Sequence, residues 1–148
     1  MTEEEFLKQY NPDVHFRPSV SVESILFTVS DSENENYRKL PEKKLQVLLV
    51  KRTDFPSKDM WTLPGVFIEP QESFENAVKR CLKDKANIEN IYLEQLYTWG
   101  NPERDPRIRA ISTSYMGLVD SSEIKLKAGI RVKELRLVYN KNKNAERN

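Results

Sequence analysis

Acids and bases crowd two short stretches of this 148-residue chain. In GVFIEPQESFENAVKRCLKDKAN, residues 65 to 87, the acids Glu69, Glu72 and Asp84 lie among Lys79, Arg80, Lys83 and Lys85. Hydrolysis of a phosphoanhydride usually requires one or more Mg²⁺ ions, each taking several oxygen ligands, with carboxylates at i, i+3 or i+4 so that they converge. Glu69, Glu72 and Asp84 are the candidate metal ligands, and Glu72 and Asp84 the candidate catalytic acids. The lysines work against this. A unit charge about 4 Å from a divalent ion of like sign meets roughly 8 kcal/mol of Coulomb repulsion at an effective dielectric near 20, so Lys85 is a serious obstacle if it points inward. The bland alternative is a solvated helix face of alternating charge. Gly65 adds a second element, since glycine admits backbone conformations other residues resist and lets main-chain N–H groups approach a ligand. A helix beginning near Ser73 adds unpaired donors and a positive dipole end, so the pair suits a diphosphate.

The second stretch is GNPERDPRIR, residues 100 to 109. Arg104, Arg107 and Arg109 offer planar, bidentate donors for phosphate or ribose-linked groups, Asp105 can orient one of them, and Pro102 and Pro106 stiffen the loop. Read alone it is more readily a charged surface turn between strands. Tyr97 and Trp99 just before it are either stacking surfaces for a base or, as strand aromatics more often are, core. His15, the single histidine, falls in a polar lead-in with no partner for a nucleophilic triad. Cys81, also single, falls on the apolar stripe of a helix and reads as a packed, inert thiol.

These residues need a scaffold, and the chain is long enough to build one. At 148 residues a single domain suffices. Lys and Arg (24) balance Asp and Glu (23), which argues against a general nucleic-acid or membrane-surface binder. The start, MTEEEFLKQY, has no apolar core for a signal peptide, and no apolar run reaches membrane-spanning length. With one cysteine excluding an internal disulfide, the expected location is cytoplasmic.

Residues 1 to 18 read as an extended polar lead-in. Ser19 to Val29 and Leu45 to Lys51 are rich in β-branched and apolar residues and predict strands, joined by a charged, mobile surface loop. WTLPGVFIEP predicts a short strand broken at Pro64-Gly65. From Ser73 as cap, Phe74, Ala77, Val78, Cys81, Leu82 and Ala86 form the stripe of an amphipathic helix. Further strands are predicted at 91–99, 110–119 and within 129–139, and the final NKNKNAERN as a disordered tail. Strands with one intervening helix make a mixed α/β sheet.

WTLPGVFIEPQESFENAVKRCLKDKANI resembles the Nudix box, whose pattern is Gly, five residues, Glu, seven residues, Arg-Glu-apolar-x-Glu-Glu-x-Gly-apolar. With Glu72 on the first Glu, Val66 falls on the box Gly, Arg80 on the Arg, Cys81 on the next Glu, Leu82 on the apolar position, Asp84 and Lys85 on the Glu pair, Asn87 on the last Gly and Ile88 on the final apolar residue. From about Ser19 to Asp120, the blocks VSVESILFTV, LQVLLVKR and NIYLEQLYTWGNPERDPRIRAISTSYMGLV are similar to the ADP-ribose-handling Nudix proteins, including the Nudix-related transcriptional regulators of NAD metabolism.

That resemblance implies a Nudix α/β/α sandwich with a mixed β-sheet over residues 19–139, with 1–18 a lead-in and 140–148 a tail. It implies a nucleoside-diphosphate ligand such as ADP-ribose, and Mg²⁺ or Mn²⁺ on the box glutamates in active members. Arg80 should brace the loop through Glu72. Of the three positions that would hold metal or act as base, Cys81, Asp84 and Lys85, only Asp84 is acidic. The expected ligand-binding residues are Gly65, Arg80, Arg104, Asp105, Arg107 and Arg109. The expected function is ligand binding with hydrolysis weak or lost, against an active Mg²⁺-dependent ADP-ribose pyrophosphatase or a non-binding interaction module. Relatives are often dimers, so a homodimer is possible. Regulators add a DNA-binding domain, and no nucleic-acid contact is expected from these residues alone.

Overall fold

The computed structural model describes residues 1–31, 38, 40–126 and 128–135. Helix α1 (Glu3–Gln9) is followed by strands β1 (Ser19–Asp31), β2 (Lys43–Lys51), β3 (Trp61–Thr62) and β4 (Gly65–Phe67), helix α2 (Phe74–Ala86), and strands β5 (Glu94–Trp99), β6 (Ala110–Leu118) and β7 (Ile130–Glu134). All seven strands join one sheet. Only β1 and β6 run parallel; the other pairings are antiparallel. The mixed α/β expectation is met.

Strand β1 organises the sheet. Its Val22, Ser24, Leu26 and Thr28 alternate as buried residues, as a pleated strand requires when one face meets a core. Along one edge it pairs with β6 from Ser19 to Phe27. Its other edge is shared. Phe27 to Asp31 pair with β2, whereas Ser21 to Glu23 pair with β4. Strand β2 divides in the same way, meeting β1 at Lys43 to Val47 and β3 at Val50 and Lys51. The two long strands therefore part beyond Phe27 and Val47, and the β3–Leu63–Pro64–β4 segment fills the gap, with the Ser24 amide donating to the Pro64 carbonyl at 2.8 Å. This split in the sheet opens the cleft described below.

Helix α2 forms where the stripe predicts. The Ser73 hydroxyl accepts from the Asn76 amide, and the helix stops at Asn87, whose left-handed φ of 54° lets its amide and that of Ile88 return to the Lys83 and Leu82 carbonyls. Ala77, Val78, Cys81, Leu82 and Ala86 are buried, and the core joins most of them to Val22, Leu26, Leu48, Val50 and Tyr115. Each valine or leucine among them contributes about 1.5–3 kcal/mol on burial.

Some expectations shift. The lead-in is not wholly extended: Thr2 and Glu5 form a reciprocal capping box that starts α1, although no residue of that helix is buried. Strand β5 begins at Glu94 rather than 91, and all of its residues are exposed. Tyr97 and Trp99 are thus not core; they form an exposed edge-to-face pair with centroids 4.6 Å apart. Most of the charged 32–44 connection's first half (32–37, 39) and the predicted tail at 140–148 lie outside the described residues. Among the described residues no helix is long and apolar enough to cross a membrane.

Candidate functional site

The split between β1 and β2 opens onto a cleft of about 720 Å³. Its walls come from β1, the end of β2, β3 and β4, the later turns of α2, the 100–109 loop and the turn before β7. The core face of β1 alternates Val22 and Leu26 with the buried hydroxyls of Ser24 and Thr28, and the opposite face carries Ser21 and Glu23 beside Ser112 and Ser114 of β6. Polar groups therefore floor the cleft. Glu23 is fixed from two sides: it accepts from the Ser114 hydroxyl at 2.6 Å, itself an acceptor from the Trp99 indole at 2.7 Å, and lies 3.7 Å from the Arg104 guanidinium.

On the helix side, Arg80 binds Glu72 through two parallel contacts of 2.7 and 2.9 Å and donates to the Phe67 carbonyl at 3.1 Å. Glu72 also accepts from the Glu69 amide at 3.1 Å. Hydrogen bonding to the Arg80 guanidinium holds the Glu72 carboxyl down at about 2, and the same contact raises Arg80 above its ordinary value. Five residues after Arg80, the Lys85 ammonium donates to the Gly65 carbonyl at 2.5 Å and lines the cleft. Cys81 between them is fully buried in the core, and burial pushes its thiol up to about 11, as expected of a packed, inert thiol.

On the loop side, Arg107 makes a bidentate pair with Asp105 at 3.0 and 2.8 Å, and Asp105 also accepts the Arg107 amide. Hydrogen bonding to Arg107 lowers the Asp105 carboxyl to about 2. The Arg107 guanidinium lies 5.9 Å from the Phe67 ring centre, linking the loop to β4. Arg109 is turned to another task, donating to the Gly100 carbonyl at 2.6 Å so that the two ends of the loop are tied.

Of the residues singled out in the sequence, Gly65, Arg80, Lys85, Arg104, Asp105 and Arg107 line one cleft, while Glu69, Glu72, Asp84 and Arg109 do not. Gly65 is there for a different reason from the one expected. It sits in extended β4 paired with Glu23, and a Cβ would come within 3.1 Å of the Val22 carbonyl, so glycine permits close strand packing rather than an unusual φ. The start of α2 is likewise not at the cleft, and its second half is. Its N-terminal donors therefore do not face the cleft.

The donor set does not fit a divalent ion. Glu72 is committed to Arg80, Cys81 is buried, Glu69 and Asp84 do not line the cleft, and Lys85 holds its ammonium on the Gly65 carbonyl. Among the described residues no three His, Cys, Asp or Glu side chains gather closely enough to hold a metal.

Sequence reasoning missed Glu23, Arg52 and Ser112, all of which line the cleft. The Arg52 Nε and the Ser112 hydroxyl are buried without a hydrogen-bond partner from the protein, which is costly unless a ligand or a water supplies one. A charged residue inside the apolar alternation of β1 and a basic pair ending β2 were the available signals.

A split mixed sheet, one helix braced by an Arg-Glu pair and an arginine loop across an open polar cleft define a mixed α/β domain with a charged cleft at the sheet's split. The NUDIX domain profile matches residues 40–140, and the chain belongs to the Nudix family. It is 31% identical over 121 residues to the ADPR responsive transcriptional repressor NtrR of Acinetobacter baylyi, and 34% identical over 128 residues to an ADP-ribose pyrophosphatase of Methanocaldococcus jannaschii. These matches take in 80% and 86% of this chain, but the chain spans only 44% and 64% of those relatives. Among solved structures, the NUDIX domain of Shewanella oneidensis NrtR complexed with ADP ribose is 33% identical, with a TM-score of 0.68, 90% of this chain and 82% of that one being covered. Nudix hydrolases generally use divalent metal ions.

Proposed function

We propose that this Nudix domain binds ADP-ribose, or a related nucleoside-diphosphate derivative, and hydrolyses it weakly or not at all. One observation carries the reading: the cleft retains guanidinium groups on its loop side, while two of the three positions that would ligate a catalytic metal are a buried thiol and an ammonium bonded to Gly65, and the third, Asp84, does not line the cleft. Arg104 and Arg107 are assigned to the ligand's phosphates, with Asp105 orienting Arg107. Gly65 shapes the wall, and Arg80 and Arg109 brace it. A cytoplasmic location and a homodimer belong to the same proposal, as does the absence of nucleic-acid contact by these residues alone.

The 34% identity to an archaeal ADP-ribose pyrophosphatase favours a second reading, an active hydrolase in which Glu69, Glu72 and Asp84 hold Mg²⁺ or Mn²⁺ in a thinner site. Incubation with ADP-ribose and either metal, followed by assay of released AMP, separates the two. No AMP, together with heat of binding on calorimetric titration, is expected. Substantial turnover overturns the first reading, and an absence of both turnover and binding leaves a scaffold that takes no nucleotide.

A further inference from the structure

The charges lining the cleft are not all balanced. Lys51 pairs with Asp59, Arg80 with Glu72, Arg104 with Glu23 and Arg107 with Asp105. Lys85 and Arg52 differ: among the described residues neither has a carboxylate within 4.0 Å. The Lys85 ammonium spends one N–H on the Gly65 carbonyl, which fixes its position, and keeps two more for a ligand. The Arg52 Nε is buried and unpartnered on the same cleft. Among the lining carboxylates, Asp54 is the one with no cation that near among the described residues; it is exposed and accepts from the Thr53 hydroxyl.

We propose that Lys85 and Arg52 together form a built-in counter-charge for a diphosphate, so that the ligand is held without a divalent metal. This rests on the nucleotide-binding reading and adds the means of charge neutralisation. A diphosphodiester carries two negative charges near neutral pH, and the two unpaired cations outnumber the one unpaired lining carboxylate, Asp54, so the cleft keeps a positive surplus for it. Both have donors unspent, and one is held in place before the ligand arrives, so little side-chain freedom is lost there on binding. A metal at the same position would have to approach the Lys85 ammonium, and Coulomb repulsion disfavours having both. The lysine therefore replaces the ion and does not assist it.

Calorimetric titration of the intact chain with ADP-ribose, in EDTA and again in Mg²⁺, tests this. The expected result is the same affinity in both buffers, a loss of about tenfold or more in Lys85→Met and in Arg52→Met, and partial retention in Lys85→Arg. Lys83→Met, which removes a lysine of the same helix paired with Glu89 outside the cleft, should bind as the parent does. In Lys85→Met, added Mg²⁺ should restore part of the affinity, a response that a purely structural lysine would not produce. Melting temperatures taken alongside separate lost binding from lost folding. Binding that requires Mg²⁺, or that survives Lys85→Met and Arg52→Met unchanged, overturns the inference and leaves the ADP-ribose reading intact. Binding of inorganic pyrophosphate in EDTA, weakened by Lys85→Met, with no binding of ADP-ribose, overturns the ADP-ribose reading and supports the inference. Failure of both ligands to bind overturns both.

Discussion

Across the cleft, two arginine-carboxylate pairs of similar geometry do different work. Arg107 and Asp105 are neighbours in an exposed loop, and their forked contact shapes two or three residues of backbone on the cleft's rim. Arg80 and Glu72 are eight residues apart, and their contact joins the middle of α2 to the turn before it and to the Phe67 carbonyl of β4. The first pair orients a donor that can still turn to a ligand. The second consumes its carboxylate and locks the framework. Position in the fold, and not residue type, decides which role a guanidinium takes: an exposed pair contributes little to stability, while one that ties a helix to a strand and a loop restrains all three.

Replacing both Arg104 and Arg107 with alanine tests the loop side most severely. Loss of two charge-assisted contacts should weaken ADP-ribose binding by about a hundredfold or more in calorimetry while the melting temperature moves little. If affinity holds, the loop is a surface turn and the contrast fails. Arg80→Ala should do the reverse. Releasing Glu72 and the Phe67 carbonyl should lower the melting temperature by a few degrees in a thermal melt, with a smaller effect on affinity.

Smaller in size is the effect of Lys85→Glu, which exchanges the cleft's fixed cation for a carboxylate near Asp84. Mn²⁺ affinity, followed by the ion's paramagnetic signal, should rise several-fold, and no rise would count against Lys85 as the barrier to metal. Adding Cys81→Glu is a poor way to amplify that effect, because the site is fully buried and a carboxylate there would cost folding stability. The smallest expected effect concerns acid. Glu72 has a folded value near 2 against 4.5 when free, so its pairing stabilises the fold fully above about pH 4.5, and that contribution is lost as pH falls through 2. Thermal melts over this window should fall less steeply for Glu72→Gln than for the parent, and parallel curves would refute the Arg80 pairing.

Much of this was written locally. The stripe from Phe74 to Ala86, the Ser73 cap and the alternation of β1 each depend on spacing along a few turns or pleats, and periodicity alone decides which face is apolar. The Glu72–Arg80 brace came by another route, from the resemblance to the Nudix box, which sets those two residues on its first Glu and its Arg. The aromatics of β5 misled because an alternating or aromatic-rich strand predicts one buried face, while nothing within the segment reveals that β5 forms the sheet's edge with both faces open.

Sequence by itself determined the element order, the helix with its polar and apolar faces, and the reduced number of carboxylates at 81, 84 and 85. Only tertiary structure decided what those faces meet. Lys85 reaches a carbonyl twenty residues earlier, Glu23 meets Ser114 ninety-one residues later, and Arg52 enters the cleft because β1 and β2 separate around a short inserted segment. Local periodicity specifies the direction in which a side chain points. It carries no information about the partner waiting there, which is set by strand pairings that bring distant residues together.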